Sequence, residues 1–170
     1  MDKQHLENLL LKWDKKHTDY LKSIYHANSH NPSFIQLLID LYLTNTPSEL
    51  PASWLIKHYC DAGETLTQVQ VEQILNNFDA LTDWGSRLHI LQIIPKIQLA
   101  EHLARQIEPE IRKLLTSDNK FVKAAAYEAC FEVVQVFPAF RDEFKRICEG
   151  ALASESASVR VKIKRILNNL

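Results

Sequence analysis

Apolar positions along this chain recur every three or four residues and never alternate for long, so the pattern predicts helices from one end to the other. Leu6, Leu9, Leu10, Trp13, Leu21 and Ile24 lie on one stripe and predict a long opening helix, ended near Asn28-Ser29-His30-Asn31. Phe34, Leu37, Leu38, Leu41 and Tyr42 predict the next, begun at Asn31-Pro32-Ser33. Leu55, Ile56 and Tyr59 predict a shorter helix entered through Pro51 and Ser53. Leu66, Val71, Ile74, Leu75 and Phe78 follow, with Gly63 ending the preceding helix and Thr65 or Thr67 as cap. Trp84, Leu88 and Leu91 mark another helix, started by Thr82 or Asp83 and stopped near Pro95. Leu99, Leu103, Ile107, Ile111 and Leu114 define a long one, in which Pro109 removes a backbone donor and predicts a kink or a break.

Three strongly patterned helices close the chain. Their stripes are Val122, Ala126, Ala129 and Val133; Phe140, Phe144, Ile147, Cys148, Ala151 and Leu152; and Val159, Ile163, Ile166, Leu167 and Leu170. That makes about nine helices, an all-α fold. Linkers at 28–33, 44–51, 61–66, 79–83, 94–98, 116–120, 136–139 and 153–157 are short, so consecutive helices are expected to be antiparallel neighbours in a single domain, 1–170.

The C-terminal third nearly repeats itself. Leu115, Asp118, Val122 and Lys123 recur 37 residues later as Leu152, Glu155, Val159 and Arg160, and Ala126 and Ala129 fall opposite Ile163 and Ile166. Two helices per unit of this length mark a stacked array, because one hairpin cannot bury its apolar face alone. A leucine at a helix end, a turn with an acidic residue, then Val-Lys/Arg before a small-residue helix resembles the HEAT repeat. Pro109 in the preceding helix is also common in that family. The close resemblance spans about residues 103–170; a weaker echo, Asp83, Arg87, Ile90 and Ile93, lies upstream, and residues 1–62 keep only the hairpin rhythm. The resemblance implies an α-solenoid, here a capping helix plus four antiparallel hairpins, of a kind that usually binds proteins on its inner helices. Some relatives bind nucleic acid and a few are enzymes.

Charge narrows the classes. Twenty Lys and Arg against 21 Asp and Glu leave a net charge of −1, so no global field draws the chain to nucleic acid or a membrane surface. No apolar run approaches the ~20 residues that span a bilayer, and the N-terminus has no apolar core of a signal peptide. Cys60, Cys130 and Cys148 are an odd, scattered set, as expected of reduced thiols in the cytoplasm. Cys130 and Cys148 fall on apolar stripes, whereas Cys60 near Gly63 is expected to be partly exposed. Trp13, Trp54 and Trp84 are expected to wedge between helices.

Candidate chemistry is sparse. His26 and His30, and His58 with Cys60 and Asp61, do not reproduce a metal-ligand spacing, so no metal or cofactor is expected. Glycine-rich phosphate loops and nucleophile elbows are absent, so an enzyme is not expected either. What remains is cationic. Arg87, Lys123 and Arg160 occur once per repeat and are expected to tie repeats together through Asp83, Asp118 or Glu155. The last helix carries Arg160, Lys162, Lys164 and Arg165 with no acidic residue from Ser156 onward. An outward row of Arg87, Lys123, Tyr127, Arg160 and Lys164 is expected on the inner helices, with Lys164, Arg165 and Tyr127 supplying the free contacts. These readings favour a monomeric, non-catalytic protein-binding module, an adaptor, regulator or inhibitor. The alternative is a nucleic-acid-binding or DNA-repair protein of the HEAT-like kind, which would need a strongly basic groove around an extruded base.

Overall fold

A computed structural model describes residues 2–44 and 46–170. Among these residues there are ten α-helices, two short 3-10 turns and no β-strand, so the chain is all-α. The helices are α1 (Lys3–Leu10), α2 (Thr18–Asn28), α3 (Phe34–Tyr42), α4 (Glu49–Asp61), α5 (Gln68–Asn76), α6 (Trp84–Ile93), α7 (Glu101–Leu114), α8 (Lys120–Val136), α9 (Arg141–Ala151) and α10 (Ala157–Leu167). Contacts divide the chain into two compact units, Met1–Ile90 and Leu91–Leu170, with the division falling inside α6.

The predicted opening helix is two helices, and one side chain explains the break. Asp14 Oδ1 accepts the backbone amides of Lys16 and His17, each at 2.9 Å, and Lys15 is left at a φ of 63°. A carboxylate that captures amides in this way competes directly with helical hydrogen bonding. Tyr20 then donates its hydroxyl to the Leu9 carbonyl at 2.9 Å, clasping α2 to α1. The remaining boundaries fall close to the expected linkers; that at 44–51 contains Asn45, which lies outside the described residues.

Local signals account for most helix ends. Thr67 and Gln70 form a reciprocal capping box at the start of α5. Asp83 Oδ1 caps α6 by accepting the amides of Gly85 at 2.7 Å and Ser86 at 3.2 Å. At the end of α4, Gly63 adopts a φ of 88°, while the Gly63 and Glu64 amides bond back to Cys60 and Tyr59. That is the left-handed C-terminal cap for which glycine carries no Cβ penalty. Pro51 sits inside the first turn of α4, where its missing N–H costs nothing. Pro109, expected to bend or interrupt its helix, lies within an α7 that runs unbroken from Glu101 to Leu114.

In the first unit, α3 packs against α1, α4 and α5, and α2 packs against α4. Tyr42 is fully buried and donates its hydroxyl to the Ile74 carbonyl at 3.1 Å, joining α3 to α5. In the second unit α8 is central, touching α7, α9 and α10. Its Ala125, Ala126 and Ala129 are all buried, and their small side chains let neighbouring helices approach closely. Arg112 of α7 bridges Glu108 of its own helix and Glu143 of α9 while lying 4.0 Å over the Phe140 ring. Cys60 is buried rather than partly exposed, and Trp84 is 56% exposed rather than wedged in the core.

Candidate functional site

The basic helix α10 presents three faces, and helical spacing assigns them. Val159, Ile163 and Ile166 are buried on the first. The second faces α8, where one carboxylate serves two cations: Lys162 Nζ lies 2.6 Å from Glu128 Oε2, and Arg165 pairs with the other oxygen of the same carboxylate. The third consists of Ala157, Arg160, Val161 and Lys164, positions related by three, four and seven residues and therefore on one side of the helix. With Leu152 these residues line an open groove of about 410 Å³. Val161 is 69% exposed there, and the groove contains no acidic side chain.

The expected cationic ladder separates into three different situations. Lys123 lies 3.0 Å from Glu155, 32 residues further along the chain, and the pair is largely shielded from solvent. Arg87 donates its Nε to the Leu81 carbonyl at 2.7 Å instead of pairing with Asp83, whose carboxylate is occupied as a cap. Arg160 is exposed, and Glu155, its expected partner, is engaged by Lys123. Asp118 is exposed and holds none of the three.

Two expected contact residues are therefore corrected. Tyr127 does not face outward: it is 2% exposed, its ring lies 6.3 Å from that of Phe144, and burial pushes its hydroxyl up to about 12. Arg165 is not a free cation, because Glu128 holds it. Lys164 is exposed as expected. Sequence reasoning passed over Val161 and Glu128. The signal for Glu128 was present, since it precedes Arg165 by one repeat length of 37 residues.

The Lys123–Glu155 pair makes a measurable tie. Replacing Lys123 with Ala is expected to lower stability by about 1 kcal/mol or more, above the usual worth of an exposed pair because Glu155 is left shielded without its partner, and to leave partner binding intact. Urea melts of wild type and variant check this; an unchanged midpoint would show that the pair contributes nothing.

Elsewhere the reactive side chains are enclosed. Cys130 and Cys148 are fully buried, and burial pushes the Cys148 thiol up to about 12. Ser53 and His89 lie 2.9 Å apart, a spacing that a nucleophile and its base would also show. Ser53, however, is fully buried and its hydroxyl donates to the Leu50 carbonyl at 2.8 Å, so its oxygen is not presented to a substrate. A second cluster stacks His58 on Trp54 at 5.0 Å and edge-on to Tyr25 at 4.8 Å. Burial, then His26, Lys57 and Lys22, hold the His58 imidazole below its ordinary range. Among the described residues no group of three or more His, Cys, Asp or Glu side chains is placed to hold a metal ion, and no helix is long and apolar enough to cross a membrane. Compared with known protein families, curated proteins and solved structures, the chain matches none.

Proposed function

We propose that this protein is a non-catalytic protein-binding module of HEAT-like construction, and that it binds through the free face of α10. The observation that carries this reading is the groove itself: a large apolar side chain, Val161, stands exposed beside two cations that no carboxylate of the described chain engages. Exposed apolar surface rimmed by charge is the composition expected of a recognition patch. The construction is supported within each unit. In the second, α8 packs on both α7 and α10, and Glu128 meets Arg165 across one repeat length of 37 residues. In the first, Gln36 donates to Gln73 across the same 37-residue separation.

Val161→Asp is the direct test. The side chain is exposed, so the variant is expected to melt like wild type, while a partner that co-purifies with the wild-type chain from native extract is lost. Recovery of the same partner in equal amount by the folded variant would place binding on another surface. The nucleic-acid reading has little to build on at this face, which offers two cations and no aromatic side chain for base stacking.

A further inference from the structure

We propose that the α10 groove recognises an acidic segment of a partner protein carrying two carboxylates with one bulky aliphatic side chain beside them; this rests on the protein-binding reading above. Arg160 and Lys164 are one helical turn apart, so their charged ends reach the same side of the helix about 6 Å apart along its axis. Val161, Ala157 and Leu152 supply the apolar lining beside them. Such a lining accepts an apolar side chain, and the two cations beside it suit two carboxylates one turn apart.

Charge on the neighbouring helices makes this face available. Glu155 is engaged by Lys123, and Glu128 by both Lys162 and Arg165, so the acids nearest in the repeat register are already committed. Arg160 and Lys164 are the two cations of α10 that no carboxylate engages. A basic or neutral partner segment would leave them uncompensated on docking, and a segment without an apolar anchor would leave Val161 in water. Only an occupant with both features satisfies the whole lining. A nucleic-acid backbone would meet the cations and waste the apolar lining, and two phosphate contacts supply little affinity.

The probe is a short, blocked helical peptide with two glutamates one turn apart and a leucine beside them on the same face, added to the 15N-labelled full chain. Amide shifts are expected at Leu152, Ala157, Arg160, Val161 and Lys164. Affinity is expected to fall at least about tenfold when Arg160 and Lys164 are both replaced by Glu, and by a similar factor when the peptide leucine becomes serine. Rising salt weakens the contact as exposed charges are screened. Shifts elsewhere, equal binding of the serine peptide, or tighter binding of a single-stranded oligonucleotide at the same amides would each overturn the proposal. So would self-association through Val161 in place of peptide binding. The two readings fail differently. A native partner lost on Val161→Asp but indifferent to Arg160→Glu with Lys164→Glu keeps the module and removes the acidic segment, whereas a partner indifferent to all three removes the α10 docking face itself.

Discussion

Ala126→Asp is expected to unfold the unit spanning residues 91–170. Ala126 has no exposed surface and sits on α8, the helix that touches α7, α9 and α10. Its neighbours along the same helix, Val122, Ala125, Ala129, Cys130 and Val133, are all buried and offer a carboxylate no partner. An aspartate there must either stay charged without compensation or take up a proton, and the added volume has to displace tightly packed helices. Removing compensation from a buried charge costs about 3–5 kcal/mol, which is a large share of the stability of a domain this size. Thermal and urea melts followed by circular dichroism, with hydrogen exchange at α8 and α10, read the effect. A variant with the wild-type midpoint and protected α8 amides would mean that Ala126 lies on a different face. Ala126→Ser, which adds one small polar group, is expected to fall between the two.

Acid is expected to destabilise the protein well before its carboxylates titrate, through His89. Its imidazole sits between α6 and α4, where the Ser53 hydroxyl gives its single proton to the Leu50 carbonyl. His89 Nδ1–H therefore donates to Ser53 Oγ. Burial first, then the positive charge of Lys57, hold the imidazole down to about 4, and Asp83 opposes them only in part. A base whose folded pKa is depressed binds its proton more readily when unfolded. The stability it contributes is complete above its ordinary value of 6.5 and is lost as pH falls from 6.5 towards about 4. The expected loss is about 2 kcal/mol at pH 5 relative to pH 7.5. His58 shifts in the same direction and adds to the slope, whereas His17, raised by its hydrogen bond to Asp14, works against it at an exposed site. His89→Gln keeps a donor for Ser53 and removes the titration, so the urea midpoint of that variant is expected to change much less over the same interval. An equal pH dependence in wild type and variant would assign the acid response to other groups.

These two expectations depend on different layers of information. That α8 is a buried helix of small residues was legible in the spacing of Val122, Ala126, Ala129 and Val133, because burial of one side of a helix forces that period on the sequence. Caps were legible for the same local reason. Thr67 with Gln70, Asp83 and Gly63 each act on backbone groups within a few residues, so their chemistry is complete in a short segment. The break after α1 was local as well, but it was hidden: Asp14 stops the helix with hydrogen bonds that leave no mark on the apolar period.

Long-range partners were not legible, and they decide the candidate site. Along the chain Arg160 looked like a tie to a nearby acid, and Lys164 and Arg165 looked free. Tertiary packing brought Glu128 within reach of Lys162 and Arg165 from 34 and 37 residues away, which leaves only Arg160 and Lys164 uncommitted. The same packing turned Tyr127 inward against Phe144 and left Val161 in solvent, although both occupy helices with nearly continuous patterning. A helical period says which residues share a face. It does not say what that face meets, because the rotation of each helix is set by side chains on other helices, and the free energy of burial and ion pairing is realised only when those helices are packed together.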